Sequence, residues 1–162
     1  MIKLSTRLPI ARQCREVDAK SQFNVASIRK TYLGFAISLA LYEGKIKSLN
    51  DYVFDYLEDL DQRLFIGTTI RHLLTHTHGL NGPLKRIFSA GTDWQYNNTG
   101  VNLLIRLVQK VFGRSLAEVI EDQILNPCGF TETGWRKEEN EQNTKRMYSA
   151  PIKNQEYLTS KV

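Results

Sequence analysis

Cysteine is scarce in this sequence, and long apolar runs are absent. The two cysteines, Cys14 and Cys128, lie far apart and in no C-x-x-C pair. This spacing excludes a disulfide framework and a zinc ribbon as the basis of the fold. No run of about eighteen apolar residues occurs, and residues 1–18 lack the apolar core of a signal peptide. We therefore expect a soluble chain with no stable membrane span, which as printed would be cytoplasmic.

A block of charge of one sign is also absent. Lys and Arg number 22 against 17 Asp and Glu, a formal net charge of +5, and the basic residues occur singly or in pairs. Segments that bind nucleic acid usually gather like charges in one run, so we expect no nucleic-acid partner. A chain of this length can bury its own core without disulfides or metal. Residues 1–162 are therefore predicted to form a single domain.

The spacing of apolar residues predicts a largely helical centre. The most regular stripe runs from about Thr99 to Phe112 and ends at Gly113. Another predicted helix runs from Ser27 to Gly44. Its apolar stripe is Tyr32, Phe35, Ala36, Leu39 and Tyr42.

Capping residues predict three shorter helices. Ser48 with Asp51 resembles a capping box at the start of "DYVFDYLEDL", and Ser115 with Glu118 resembles another. Thr69 can cap the segment "IRHLLTHTHGL". We expect a helix after each of these three sites.

Strand signals are few and lie near the two ends of the chain. The segments with some alternation are "ARQCREV", "SQFNV", "RMYSAPI" and "EYLTS". The charged, amide-rich segment from Arg136 to Lys145 is typical of a solvated loop or a frayed helix. These patterns predict an α+β fold that is mostly helical, with two or three short strands.

The stretch "FNVASIRK" places Ser27 three residues before Lys30 at the predicted start of a helix. Residues three apart on a helix share a face, and a serine hydroxyl becomes a nucleophile when a neighbouring base takes its proton. A helix N-terminus also offers backbone N–H groups to a developing oxyanion. S-x-x-K is nevertheless a common pattern, and its ordinary alternative is a solvated helix start.

Three later segments, "IRHLLTHTHGL", "GTDWQYNNTG" and "ILNPCGFTET", add further matches in a definite order. With "FNVASIRK" they resemble the serine β-lactamase and penicillin-binding superfamily, in its class C β-lactamase, DD-peptidase and esterase branch. The nucleophile motif F-x-x-A-S-x-x-K and the Y-x-N motif of that branch are both matched. "LTHTHGL" and "NPCGFTET" are similar to its structural signatures L-T-H-T-S-G-L and P-L-G-M-x-x-T. The resemblance covers most residues from Phe23 to Trp135.

The resemblance implies a role for each motif residue. Ser27 would be the nucleophile, Lys30 its proton-handling partner, and Tyr96 the general base. Asn98 would be an amide that orients the substrate. A tyrosine has an ordinary pKa of about 10 and acts as a base near neutrality only beside a cation such as Lys30. Whether Lys30 or Tyr96 takes the proton of the serine is open at this point.

Members of the family are longer and carry, after the P-L-G-M region, a strand with a third motif, K-T-G or H-x-G. Neither pattern occurs in the 162 residues. The resemblance therefore implies the helical part of a β-lactamase/transpeptidase-like fold with an incomplete sheet. It also implies a weakened activity, because that strand supplies one oxyanion donor, worth about 3 kcal/mol in the transition state.

The predicted function is that of a serine hydrolase that forms an acyl-enzyme on an amide or ester. The substrate would be a β-lactam, a D-Ala-D-Ala-like peptide or an ester, and no cofactor is implied. Two alternatives stay open. One is an inactive module that binds such a ligand, and the other is an interaction module that forms a homo-oligomer over the missing sheet.

Histidines offer a rival interpretation as a metal site. His72 and His76 are four residues apart, His78 follows, and histidine is the commonest metal ligand. No carboxylate or cysteine lies at ligand spacing, and the family has the first two histidines without a metal. We therefore expect no metal site. Trp94, near the Y-x-N motif, is expected to be a packing residue or part of a cleft wall.

Overall fold

The computed structural model describes residues 22–82, 84–131, 133–136 and 157–161. For 22–24, 136 and 157–161 it describes the backbone alone. The possible strands "ARQCREV" and "RMYSAPI", most of the charged segment that follows Arg136, and Cys14 lie outside the described residues.

Helices dominate the described part of the chain, as the apolar spacing predicts. The α-helices are α1 (Lys30–Tyr42), α2 (Gln62–Phe65), α3 (Ile70–Leu74), α4 (Asn98–Phe112) and α5 (Leu116–Ile120). Short 3-10 turns cover Ala26–Arg29 and Val53–Asp55, and a π-helical turn, Glu121–Leu125, continues α5. No helix among the described residues combines the length and the apolar character needed to cross a membrane.

Helix α4 confirms the clearest sequence prediction. The Asn97 side chain accepts the Thr99 N–H at 2.7 Å and so caps the first turn. At the other end Gly113 has a φ of 69°, the left-handed conformation that ends many helices and that glycine adopts at little cost. The helix therefore starts and stops where its terminal residues favour it.

Helix α1 is present, but the predicted buried face is only partly right: Ala36 is buried and Tyr32 and Leu39 pack against the core, whereas Phe35 and Tyr42 are exposed. The buried residues are Leu33, Ala36, Ile37 and Ala40, whereas the side chain of Tyr42 is 89% exposed. Nearly every residue of "KTYLGFAISLALY" is apolar or small, so several stripes fit the helical period equally well. Packing of α1 against α4 and α5 decides which stripe is buried. The spacing of apolar residues within α1 does not show which side will face these helices.

Two of the three predicted capping sites are confirmed. Thr69 caps α3, and Ser115 forms a capping box with Glu118 at α5. At Ser48 the predicted capping box forms only in part, since the Asp51 carboxylate accepts the Ser48 N–H at 3.0 Å and also the Tyr56 hydroxyl at 2.5 Å. The prediction of an α-helix after this site is wrong. These bonds fix a loop that is followed by a 3-10 turn rather than by an α-helix.

The sheet joins the two ends of the described chain. Strands β1 (Gln22–Asn24), β2 (Gly134–Arg136) and β3 (Tyr157–Lys161) are antiparallel in the order β1-β3-β2. Two of these strands lie in "SQFNV" and "EYLTS", as expected, whereas β2 was not predicted because three residues show no alternation. The small sheet agrees with the prediction of a mostly helical α+β fold.

The core lies where α1 packs against α4 and α5, and where α3 packs against α4. Its fully buried side chains include Ile37, Ile46, Val53, Ile70, Leu73, Leu104, Leu107, Val108 and Ile120. The loop after α3 sits close to α4, since a Cβ on Gly100 would lie 2.6 Å from the ring of His78. Glycine thus permits the close approach of this loop to the first turn of α4.

Candidate active site

Ser27 lies in the short 3-10 turn that connects β1 to α1. The residue before it, Ala26, has a φ of 46°. This left-handed conformation is uncommon for residues with a Cβ, and such strain is often found at functional sites. The turn leaves Ser27 exposed at the surface, one helical turn before α1 becomes regular.

The structure brings Ser27, Lys30 and Tyr96 together. Lys30 Nζ donates a hydrogen bond to Ser27 Oγ at 2.9 Å, and Tyr96 Oη lies 2.9 Å from the same oxygen. Lys30 Nζ is also 5.1 Å from the centre of the Tyr96 ring. Lys30, three residues after Ser27, and Tyr96, from a distant segment, therefore meet at the hydroxyl oxygen of Ser27.

The electrostatic environment favours the phenolate form of Tyr96. A hydrogen bond from the Lys30 ammonium, with a second one from Ser27, lowers the pKa of Tyr96 below its ordinary value of 10.0. Partial burial acts in the opposite direction and does not cancel this effect. The arrangement thus prepares Tyr96 to accept a proton.

Asn98 is not brought into hydrogen bonding with the other three residues. It is exposed and is the first residue of α4, two residues after Tyr96. Its amide makes no hydrogen bond within the described part of the chain, whereas the neighbouring Asn97 caps the helix. Asn98 therefore stands at the edge of the site with its amide free to meet a ligand.

The three histidines have separate structural partners. His72 Nδ1 accepts the Thr69 N–H at 3.2 Å within the cap of α3, and His78 Nδ1 accepts the Leu80 N–H at 2.9 Å. Across residues 22–82, 84–131 and 133–136, no group of three or more His, Cys, Asp or Glu side chains is placed to hold a metal ion.

His76 is the residue of the site that motif matching did not single out. Its ring lies 4.7 Å from the ring of Tyr96 and 6.5 Å from that of Trp94, measured between ring centres. Trp94 itself is 61% exposed, which suits an open cleft wall better than core packing. The spacing of residues contains no signal for the contact with Tyr96, because nineteen residues lie between His76 and Tyr96, and those that the structure describes form no regular helix or strand.

A cavity of about 360 Å³ lies beside the site and has Lys30 among its lining residues. Its walls come from α1, α4, the start of α5 and β2, and include Leu33, Ile105 and Trp135. Trp135 also makes an edge-to-face contact with Tyr32 at 6.1 Å. Lys30 thus both lines this cavity and contacts the serine.

Comparison with solved structures identifies the type of fold. A class C beta lactamase matches with a TM-score of 0.71 and 23% identity, over 91% of this chain and 49% of its own. The described residues therefore have a β-lactamase/transpeptidase-like fold, of which they form a mostly helical part. The fold class expected from the motifs is confirmed.

The chain belongs to the Beta-lactamase family, whose profile matches residues 10–158. An uncharacterised protein of Alkalihalophilus pseudofirmus is 42% identical over 134 residues, 81% of this chain and 39% of that protein. Penicillin-binding protein 4* of Bacillus subtilis is 31% identical over 146 residues, 74% of this chain and 32% of the relative. The chain thus spans about a third to two fifths of the length of these relatives, and the family resemblance seen in the motifs is confirmed.

Proposed function

We propose that this chain carries the nucleophile of a serine hydrolase that acts through an acyl-enzyme on Ser27. One observation supports the proposal above all others. Ser27 Oγ lies 2.9 Å from both Lys30 Nζ and Tyr96 Oη, which is the hydrogen-bond distance that proton transfer requires. If Ser27 were an ordinary residue at a solvated helix start, we would not expect a tyrosine from a distant segment to be hydrogen-bonded to its oxygen.

In the proposed acylation step Tyr96 is the base. Because Lys30 donates to Ser27 Oγ, the serine proton is directed to its other partner, the oxygen of Tyr96. As the phenolate takes that proton, Oγ attacks the carbonyl carbon of the substrate and the electron pair of the C=O bond moves to oxygen. Lys30 keeps its charge throughout and stabilises the phenolate.

Collapse of the tetrahedral intermediate completes the step. The carbon–nitrogen or carbon–oxygen bond to the leaving group breaks, and Tyr96 returns its proton to the leaving atom. The acyl group is then an ester of Ser27. Water repeats the same sequence for deacylation, with Tyr96 again accepting and returning one proton.

We propose an amide or ester substrate of the β-lactam or D-Ala-D-Ala-like peptide class. The family membership and the exposed amide of Asn98 support this choice, since an amide both donates and accepts hydrogen bonds to a peptide-like group. A polypeptide of these 162 residues contains no K-T-G or H-x-G motif. It therefore lacks the oxyanion donor that this motif carries in the family, and we expect acylation to be about a hundred- to a thousand-fold slower than with that donor.

The test is intact-protein mass spectrometry after long incubation with a penicillin or a fluorophosphonate. We expect an adduct on the wild type, none on Ser27→Ala, and formation slowed at least about a hundredfold in Tyr96→Phe. Ser38→Ala is the matched control, because in the described part of the chain Ser38 Oγ bonds only to the Gly34 carbonyl on the same helix. Its adduct should form at the wild-type rate.

Absence of an adduct with either reagent, on a protein whose circular dichroism remains helical, would reject the proposal. The inactive ligand-binding module would then be the better interpretation. An adduct that survives in Ser27→Ala would assign the nucleophile to another residue. Fast release of hydrolysed penicillin would show that a full oxyanion site forms without the third motif.

A further inference from the structure

His76 contacts the segment that carries Tyr96 on both sides of that tyrosine. Its carbonyl oxygen accepts the Gln95 N–H at 3.0 Å, and its imidazole Nδ1 accepts the Asn97 N–H at 3.3 Å. Its ring packs against the Tyr96 ring, with 4.7 Å between centres. One residue thus fixes the peptide groups before and after Tyr96 and also touches its side chain.

The backbone of His76 is itself held firmly. Its φ is 58°, a left-handed conformation that a residue with a Cβ adopts only when its surroundings enforce it. The Thr77 N–H donates to the carbonyl of His72 at 3.0 Å, so the turn continues directly from α3. Because α3 packs against α4, the position of His76 is fixed by the helical core.

We propose that His76 is the positioning residue for Tyr96. It sets the tilt of the phenol ring and the path of residues 95–97, and so keeps Oη within hydrogen-bond distance of Ser27 Oγ. The expected effect on the rate of acylation rests on the proposed function, whereas the expected effect on the pKa of Tyr96 does not.

The charge state of His76 fits this role. Burial, together with the neighbouring Lys30 ammonium, lowers the pKa of His76 below 6.5, so at neutral pH the imidazole is uncharged and Nδ1 can accept the Asn97 N–H. The titratable groups that face it are Lys30 from α1, His78 from the same loop and Tyr96 from the segment before α4. A protonated His76 would lose its acceptor and add a positive charge beside Lys30.

Two substitutions test separately the hydrogen-bond acceptor and the ring of His76. His76→Asn keeps an acceptor near the Nδ1 position and tolerates a left-handed backbone, whereas His76→Phe keeps a ring and loses the acceptor. His72→Asn is the matched control, since His72 belongs to the same segment but bonds to Thr69 and does not contact Tyr96. For each protein, phenolate absorbance measured against its own Tyr96→Phe counterpart gives the pKa of Tyr96.

We expect His76→Phe to raise the pKa of Tyr96 towards 10 and to slow acylation about ten- to a hundredfold, because small misplacements of a catalytic group have effects of this size. His76→Asn should restore both values to within a few-fold of wild type, and His72→Asn should change neither. Unchanged Tyr96 pKa and acylation in His76→Phe would overturn the proposal. Equal effects of His76→Phe and His72→Asn would overturn it as well, because general loosening of the loop would then explain them.

A wild-type measurement covers the case in which His76→Phe does not fold. The amide resonances of Gln95 and Asn97 and the ring resonances of Tyr96, followed by NMR against pH, should all shift as the imidazole of His76 titrates. Resonances of Tyr96 that do not respond to the protonation of His76 would contradict the inference. If no protein forms an acyl adduct, the proposed function fails, but the pKa of Tyr96 in the variants still decides the role of His76.

Discussion

Mild acid should destabilise this protein through His78. The side chain is 1% exposed, and burial, helped by the charges of His76 and Arg86, lowers the pKa of His78 from 6.5 to about 4. Its Nδ1 accepts the Leu80 N–H, and its Nε2 has no hydrogen-bond partner among the described residues. The folded state therefore strongly prefers the neutral ring.

The sign and the size of the effect follow from linkage. Because the folded pKa lies below the unfolded value, the unfolded chain binds the proton first, and stability is lost as the pH falls from 6.5 to about 4. Above 6.5 the contribution is fully present. The gap between the two pKa values corresponds to a loss of about 3 kcal/mol in the free energy of unfolding by pH 4.

Urea denaturation at a series of pH values from 7.5 to 4, on wild type and on His78→Ser, measures this loss. The variant is expected to be less stable at neutral pH, since it leaves a cavity, but to depend less on pH by about 3 kcal/mol across the window. Asp51 and Asp59, whose pKa values are lowered from 3.8, act mainly at the acid end of this window and below it, and His76, whose pKa is lowered from 6.5, acts within it in both proteins. Parallel pH profiles for the two proteins would refute the assignment to His78.

Two further predictions concern glycines in and after α4. Gly100→Ala should destabilise the protein by about 1–3 kcal/mol, because the new Cβ would lie 2.6 Å from the ring of His78. The same change made in the His78→Ser variant should be neutral or stabilising. Equal losses of stability in both backgrounds would contradict the contact. Gly113→Ala should cost about 1 kcal/mol, measured by thermal unfolding, because its φ of 69° disfavours a Cβ, and an unchanged midpoint would show that the helix end relaxes freely.

Patterns within one helix or one turn were readable from the sequence. The caps at Thr69 and Ser115 and the end of α4 at Gly113 depend on side chains within a few residues, and they are confirmed. The buried face of α1 was predicted only in part, and the strand β2 was not predicted. Both depend on partners from distant parts of the chain, and local spacing contains no record of them.

The same distinction applies to the site. The motifs predicted Ser27, Lys30 and Tyr96 as residues of the site, and the structure places Lys30 Nζ and Tyr96 Oη around the oxygen of Ser27. The contact of His76 with Tyr96 was missed, because a histidine in a known structural signature gives no indication of what its ring touches. The catalytic roles of these residues remain predictions that the acylation experiments test.

The order of the sheet has a consequence for how this site forms during synthesis. Strand β1 ends two residues before the turn that begins at Ala26, yet its partner is β3, at residues 157–161. The ribosome adds about 5–20 residues per second, so the helices can form early while β1 waits several seconds for its partner. Closing such a long loop is also entropically costly and slow. A nascent chain should therefore show helical structure well before the strand leading into Ser27 is anchored, which makes the nucleophile turn a late event in folding.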